Sequence, residues 1–349
     1  MEGDFFLTNW FLEAMKWVYV NIAGNSVVLT IILCTLLLRL LTMFSDISSR
    51  KSSQKMAMLQ PQIQKLQAKY ANDPQALQRE QSKLMKKEGV SMWGGCLPLL
   101  ITMPLFFCFF AAFRYWASEQ MLELISAAHS DMLNGTSVAM DMFNSQKFLW
   151  VINIWQPDSA LAPIIQDAAT FLNTADMERL LYFTQNPELF PMLEEMGMAI
   201  QSFQMVDGVE VATWNIIASN AGIANYNTLM APLTAGYEGW TNGWFLFPII
   251  SAALIFVSTK ITQRATSAKA SGGPKSDTQR SQESTNKMMM YMMPIISFIA
   301  CLSNNTAFAV YWSMSSIIAI GINLVLNRVL PRNAVPQADG QIAYNGKKR

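Results

Sequence analysis

Residues 27–44 read VVLTIILCTLLLRLLTMF, an apolar run broken by one charge, Arg39. With the residues just before it, the run reaches the roughly 20 residues a helix needs to cross a bilayer. Insertion scales charge about 2.5–3.5 kcal/mol for an arginine at the centre of such a helix. A chain that keeps this penalty gives the cation a wet cavity, a partner or a task, so Arg39 is the first candidate functional residue. The plainer alternative is a side chain that snorkels to the headgroups, since Arg39 stands close to one end of its run.

The rest of the chain agrees with a membrane setting. Hydrophobic residues make up 52% of it and charged residues only 14%, against about 25% charged in ordinary soluble domains. Cys34, Cys96, Cys108 and Cys301 all fall in apolar runs, and His129 is the single histidine. Neither a disulfide framework nor a metal site is expected. No Walker motif, dinucleotide fingerprint, metal-binding His-Glu helix or serine elbow occurs. No cofactor, no enzymatic chemistry and no specific nucleic-acid sequence are implied.

The expected fold is all-α, with five transmembrane helices at 24–44, 95–116, 243–261, 288–303 and 306–328. Trp240 and Trp244 stand where an interfacial belt belongs. Only Ser303, Asn304 and Asn305 separate the last two spans, which predicts a tight helical hairpin. Segment 45–93 holds nine basic and four acidic residues, whereas 119–242 holds two basic and fourteen acidic ones. The linker 262–287 and the tail 329–349 are again basic. By the bias of Lys and Arg toward the cytoplasm, the N-terminus lies outside and the C-terminus inside. Region 117–242 is then external and acidic, with 160–240 read as an insertion of no assignable role. Residues 1–23 fit an aromatic amphipathic helix in the outer interface better than a cleaved signal, because Glu13 and Lys16 interrupt the apolar stretch. The Gly/Ser-rich linker is expected to lack structure.

Within 45–93, Met56, Leu59, Ile63, Leu66 and Tyr70 recur at steps of three and four, the stripe of an amphipathic helix. Pro61 either bends that helix or marks its start. Asp73-Pro74 reads as an N-cap followed by proline at the first helical position. Leu77 and Leu84 share a face of the second helix, and Lys83, Lys86 and Lys87 sit toward its C-terminal end, where cations suit the dipole. Composition fits both a solvated loop near anionic lipid and a partner-binding cytoplasmic hairpin. Inside the spans, Thr35 precedes Arg39 by one turn, and Asn323 shares a helix face with Asn327. With Arg39 they could line a surface wet enough for a guanidinium. A cluster of methionines at 288–293 is read as membrane packing.

Several motifs converge. Arg39 late in span one, MLQPQIQKLQAKYANDP (58–74), GVSMWGGCLPLLITMPLF (89–106), FLWVINIWQPD (148–158) and the pair Tyr311-Trp312 together resemble the YidC-type membrane protein insertases, in their five-span gram-positive bacterial form. The resemblance covers about 1–160 and 240–330. It departs at Thr102, where many members carry Gln, at Asn305-Thr306-Ala307-Phe308 before the Tyr-Trp pair, and at Ser315-Ser316, where Asn is frequent. The resemblance implies five helices around an inward-open hydrophilic groove that is closed outside, in a bacterial plasma membrane. The groove residues it implies are Arg39, Thr35, Thr102, Tyr311, Trp312, Ser316 and Asn323. The hairpin stripe, with Leu77 and Leu84, becomes the surface that receives substrate. The implied partners are nascent membrane proteins, the lipid bilayer, the ribosome and the Sec translocon. From the residues alone, a small-anion secondary transporter using Arg39, or a non-translocating scaffold, stays open; no internal repeat supports the transporter.

Overall fold

The computed structural model describes residues 6–89, 97–178, 186–206, 209–266, 277–329, 334–336 and 342–344. They are mostly helical: α1 (Phe6–Asn21), α2 (Val27–Lys69), α3 (Pro74–Lys87), α4 (Leu97–Asn134), α5 (Val138–Ser145), α6 (Ala168–Glu178), α7 (Leu189–Glu195), α8 (Asn220–Thr234), α9 (Leu246–Thr266), α10 (Asp277–Leu302) and α11 (Thr306–Val329). Strands β1 (Ala199–Val206) and β2 (Val209–Ile216) pair antiparallel, as do the short β3 (Ala334–Pro336) and β4 (Ile342–Tyr344). Among the described residues, three stretches are long and apolar enough to cross a membrane: Val27–Ser48, Leu246–Gln263 and Thr306–Val329. Lys287–Leu302 is a shorter apolar helix. The start of the expected span 95–116 lies outside the described residues, and its described part belongs to α4.

The structure departs from the sequence expectations in places. Two β pairs interrupt the all-α reading. The stretch 264–287, expected to be unstructured, carries helix at both ends, since α9 runs to Thr266 and α10 starts at Asp277. α2 does not stop at the end of its apolar run. It continues for 43 residues with Pro61 inside it. α4 likewise runs past 116 to Asn134.

The chain divides into two compact units, and each of the five long helices is shared between them. The first unit comprises Met1–Ile31, Cys108–Ile249 and Ile299–Tyr311. Its core joins the second half of α4 (Leu122, Leu124, Ile125) to Phe143 of α5, Phe171 of α6, Leu193 of α7, Tyr226 of α8 and the base of the β-hairpin at Ala199 and Ile216. Burying each such large side chain contributes about 1.5–3 kcal/mol, so the supposed insertion is built into a core shared with α4. Asp131 accepts from the backbone N–H of Val138 (3.0 Å) and Ala139 (2.7 Å) and from the Thr136 hydroxyl, fixing the start of α5. Those bonds hold its carboxyl below the usual range. Ser219 caps α8, accepting from Gly222 N–H at 2.9 Å. Gly222 is required there, because a Cβ would meet the Gly197 carbonyl oxygen at 2.4 Å.

α1 buries Phe11, Leu12 and Met15 and leaves Trp10, Trp17 and Val20 exposed. Phe11 meets Phe109 (4.8 Å between ring centroids), and Tyr19 meets Trp116 edge-on at 5.4 Å. Lys16 Nζ lies 2.7 Å from Glu119 Oε2, a carboxylate only 5% exposed.

The second unit comprises Ile32–Phe107, Ile250–Phe298 and Trp312–Arg349. α2 and α3 close on each other through Leu59 and Ile63, with Met56, Leu84 and Met85 packed around them. Asp73 caps α3, its Oδ1 accepting from Ala76 N–H at 3.0 Å, with Pro74 in the first turn. Replacing Asp73 with alanine is expected to cost about 1 kcal/mol, seen as faster amide exchange across α3 with little change elsewhere. α9 and α10 are linked by the hydroxyls of Ser251 and Ser297, 2.5 Å apart and fully buried. Hydroxyl pairs of this kind hold apolar helices together where packing alone discriminates poorly.

Candidate functional site

The site grows from Arg39. Around it α2 is apolar, and Leu36, Leu37, Leu40 and Leu41 are exposed, the surface expected of a helix against lipid. The Arg39 side chain is tied to α11: Nε donates to Ser315 Oγ at 2.9 Å and Nη2 to the same oxygen at 2.5 Å. This lateral tie differs from a side chain reaching freely toward headgroups. Among the described residues no carboxylate lies within ion-pair distance of the guanidinium. Asp46, two turns further along α2, is near enough to sense its charge.

A guanidinium carries five N–H donors, and the two Ser315 bonds leave three of them over. That is a planar cation prepared for a carboxylate or a carbonyl oxygen. Ser315→Ala is expected to loosen the tie by about 2 kcal/mol, the range for a hydrogen bond to a charged group. Thermal unfolding of the purified protein in detergent reads that loss.

The other expected groove residues divide. Thr35 is buried one turn before Arg39 in the same unit. Trp312 and Asn323 on α11 are half-buried in that unit as well. Ser316 also belongs there, but its hydroxyl donates to the Trp312 carbonyl at 2.9 Å and serves its own helix. Ser315, one residue earlier, is the partner that the sequence reading did not single out. A visible signal was its place in the Ser315-Ser316 departure from the resembled family. Tyr311 falls in the first unit, stacked on Phe109 (5.1 Å, 5° between planes) and packed near Phe113 and Phe308. Its ring serves an aromatic cluster of that unit. The Thr102 side chain lies outside the described residues.

On the hairpin, Leu59 and Ile63 are buried between α2 and α3, and Met56 and Leu84 are half-buried against them. These four hold the hairpin closed. Leu66, Tyr70 and Leu77 stay half-exposed, and Lys69 Nζ sits 5.1 Å from the Tyr70 ring centre. These three are the part of the stripe that the packing of α2 on α3 does not bury. Among the described residues no cluster of His, Cys, Asp or Glu could hold a metal ion.

Comparison with known proteins gives this geometry a context. A family described as "60Kd inner membrane protein" matches residues 17–236 and 185–333. The membrane protein insertase YidC of Clostridium perfringens is 37% identical over 164 residues, 47% of this chain and 58% of the relative. The membrane protein insertase YidC 1 of Halalkalibacterium halodurans is 30% identical over 218 residues, 60% of this chain and 74% of the relative. The membrane protein insertase YidC of Chlorobium limicola is 45% identical over 86 residues, 25% of this chain and 15% of the relative. The matched part thus spans a little over half the length of the first of these relatives.

Proposed function

Because the chain belongs to the 60Kd inner membrane protein family, we propose that it inserts other membrane proteins into the bilayer. It receives hydrophobic segments of nascent chains in a polar groove open to the cytoplasm and releases them into lipid. One observation carries this reading: Arg39 stands in an apolar helix with three N–H donors beyond those given to Ser315. A cation so placed stabilises the carboxylates and carbonyls of a hydrophilic segment that has left water.

The physical course needs no nucleotide. The basic hairpin of α2 and α3 meets the nascent chain first, through Leu66, Tyr70, Leu77 and its lysines. The hydrophilic flank of the client then exchanges part of its water for Arg39, with Thr35, Trp312 and Asn323 completing the polar lining. The apolar segment partitions into lipid, and its own hydrophobicity drives release. The five long helices each span the membrane. The charge contrast between 45–93 and 119–242 supports a cytoplasmic hairpin and an external acidic region. The ribosome and the Sec translocon complete the set of partners on this reading.

The test uses the purified full chain in lipid vesicles, without nucleotide, challenged with several unrelated single-span clients. Protease protection of the translocated segment is expected for all of them. Protection for none, in vesicles shown to contain correctly oriented protein, would sink the reading.

A further inference from the structure

Four polar residues recur along α2 at steps of four, three and four: Thr35, Arg39, Thr42 and Asp46. Such steps keep them on one stripe, because seven residues bring a helix round to within about 20° of where it began. Burial follows the stripe. Thr35 is buried and Arg39, Thr42 and Asp46 are half-buried. Between them Leu36, Leu37, Leu40, Leu41 and Phe44 are 42–76% exposed. The bonds from Arg39 to Ser315 mark the stripe as the side of α2 turned toward α11. Thr42 serves its own helix, its hydroxyl donating to the Arg39 carbonyl at 3.4 Å. The two charged members are left to account for.

Asp46 is the single acidic residue of α2, against Arg39, Arg50, Lys51, Lys55, Lys65 and Lys69. It still lies within the apolar stretch Val27–Ser48, where an ionisable group calls for a partner or a task. It stands seven residues beyond Arg39, about 10 Å along the helix axis and on the side of the α2–α3 hairpin. The carboxylate senses the guanidinium's charge. Among the described residues, however, the two form no ion pair with each other or with a third group. Opposite charges on one stripe that do not neutralise each other are open to two groups of a third molecule.

We propose that this stripe is a two-charge reader, in which Arg39 takes an acidic group of the client's crossing tail and Asp46 takes a basic group that follows it. The proposal rests on the insertion reading and its orientation, and it names the client segment that suits the site best. Complementarity fixes both order and spacing. The acid leads, and the base trails it by about 10 Å, three residues of extended chain. A carboxylate arriving alone is attracted by Arg39 and opposed by Asp46. A tail that brings a cation in the right place turns that opposition into a second attraction. Asp46 is thus a specificity-determining residue, discriminating between tails of the same net charge by the order of their charges.

The test uses the full chain in lipid vesicles and two single-span clients whose short N-terminal tails cross the membrane. The tails have one composition and opposite order, Asp-Xaa-Xaa-Lys in one and Lys-Xaa-Xaa-Asp in the other, and protease protection reads their insertion. Wild type is expected to insert the acid-first tail about fivefold better. Asp46→Asn should bring the two within about twofold, because Arg39 alone attracts an acid in either order; Asp46→Glu should keep the preference. Arg50 stands four residues after Asp46, the spacing of an ordinary helix pair, and Arg50→Gln should keep the preference too. If Asp46→Asn does not fold, Asp46→Ser is read in its place. Insertion of both tails by the wild type without preference overturns the reader, and needs no variant. A preference that survives in folded Asp46→Asn, or is lost equally in Arg50→Gln, also overturns it. Failure of the wild type to insert either tail overturns the insertion reading instead.

Discussion

Arg39→Ala is expected to lower insertion of a client with an acidic translocated segment at least tenfold, while a client with a neutral segment stays within about twofold of wild type. Tenfold corresponds to about 1.4 kcal/mol. A guanidinium and a carboxylate 4 Å apart attract by about 4 kcal/mol at an effective dielectric near 20. Stripping water from both ions opposes that attraction, and the tenfold threshold asks for about a third of it. The Ser315 bonds cost little here, because they use two of the five donors and leave the charge in place. Arg39→Lys keeps the charge but loses the planar fork, so its insertion of acidic clients should fall between wild type and alanine. The contrast between acidic and neutral clients is what matters. An equal loss for both would mean that Arg39 supports the fold and not the transfer.

The second large effect is on stability and comes from Glu119, three residues beyond the expected span at 95–116. Burial pushes its carboxyl up to about 7; Lys16 beside it opposes the shift, and Glu123 and Glu13 add to it. The unfolded chain releases this proton near pH 4.5, and the folded chain keeps it until about pH 7. Between those values the folded state binds more protons, so stability falls as pH rises and then levels off. A shift of this size is worth about 3 kcal/mol at 1.36 kcal/mol per unit. Glu119→Gln, which resembles the protonated form, is expected to flatten the slope of thermal stability between pH 4.5 and 7. An unchanged slope would place the titration elsewhere. Asp131 and Asp167, whose carboxyls are held low by hydrogen bonds, act in the opposite sense and below that window.

Much of the architecture could be read from residues because it follows local rules. The apolar run around Arg39 announces a spanning helix, Asp73-Pro74 announces the start of α3, and three polar residues at 303–305 announce the turn between α10 and α11. What could not be read depends on packing. α2 outlasts its apolar run because Leu59 and Ile63 find cover on α3, a contact no local rule contains. The pairing of β1 with β2 depends on the cover its base finds at Ala199 and Ile216 in the first unit's core. Ser315 is Arg39's partner and Ser316 is not because α11 is rotated about its axis to present one and not the other, and neighbours one residue apart point about 100° apart. The surroundings of Tyr311 also depend on packing, since Phe109, Phe113 and Phe308 give its ring a cluster to fill.

The most direct measurement of the central claim is photocrosslinking from position 315 to nascent chains arrested at increasing lengths. Unrelated membrane-protein clients should all crosslink over a short window of lengths, as the first apolar segment and its flank leave the ribosome, and then lose the crosslink as the segment enters lipid. Crosslinks to no client at any length, or a persistent crosslink to one fixed partner, would contradict an insertase built around Arg39.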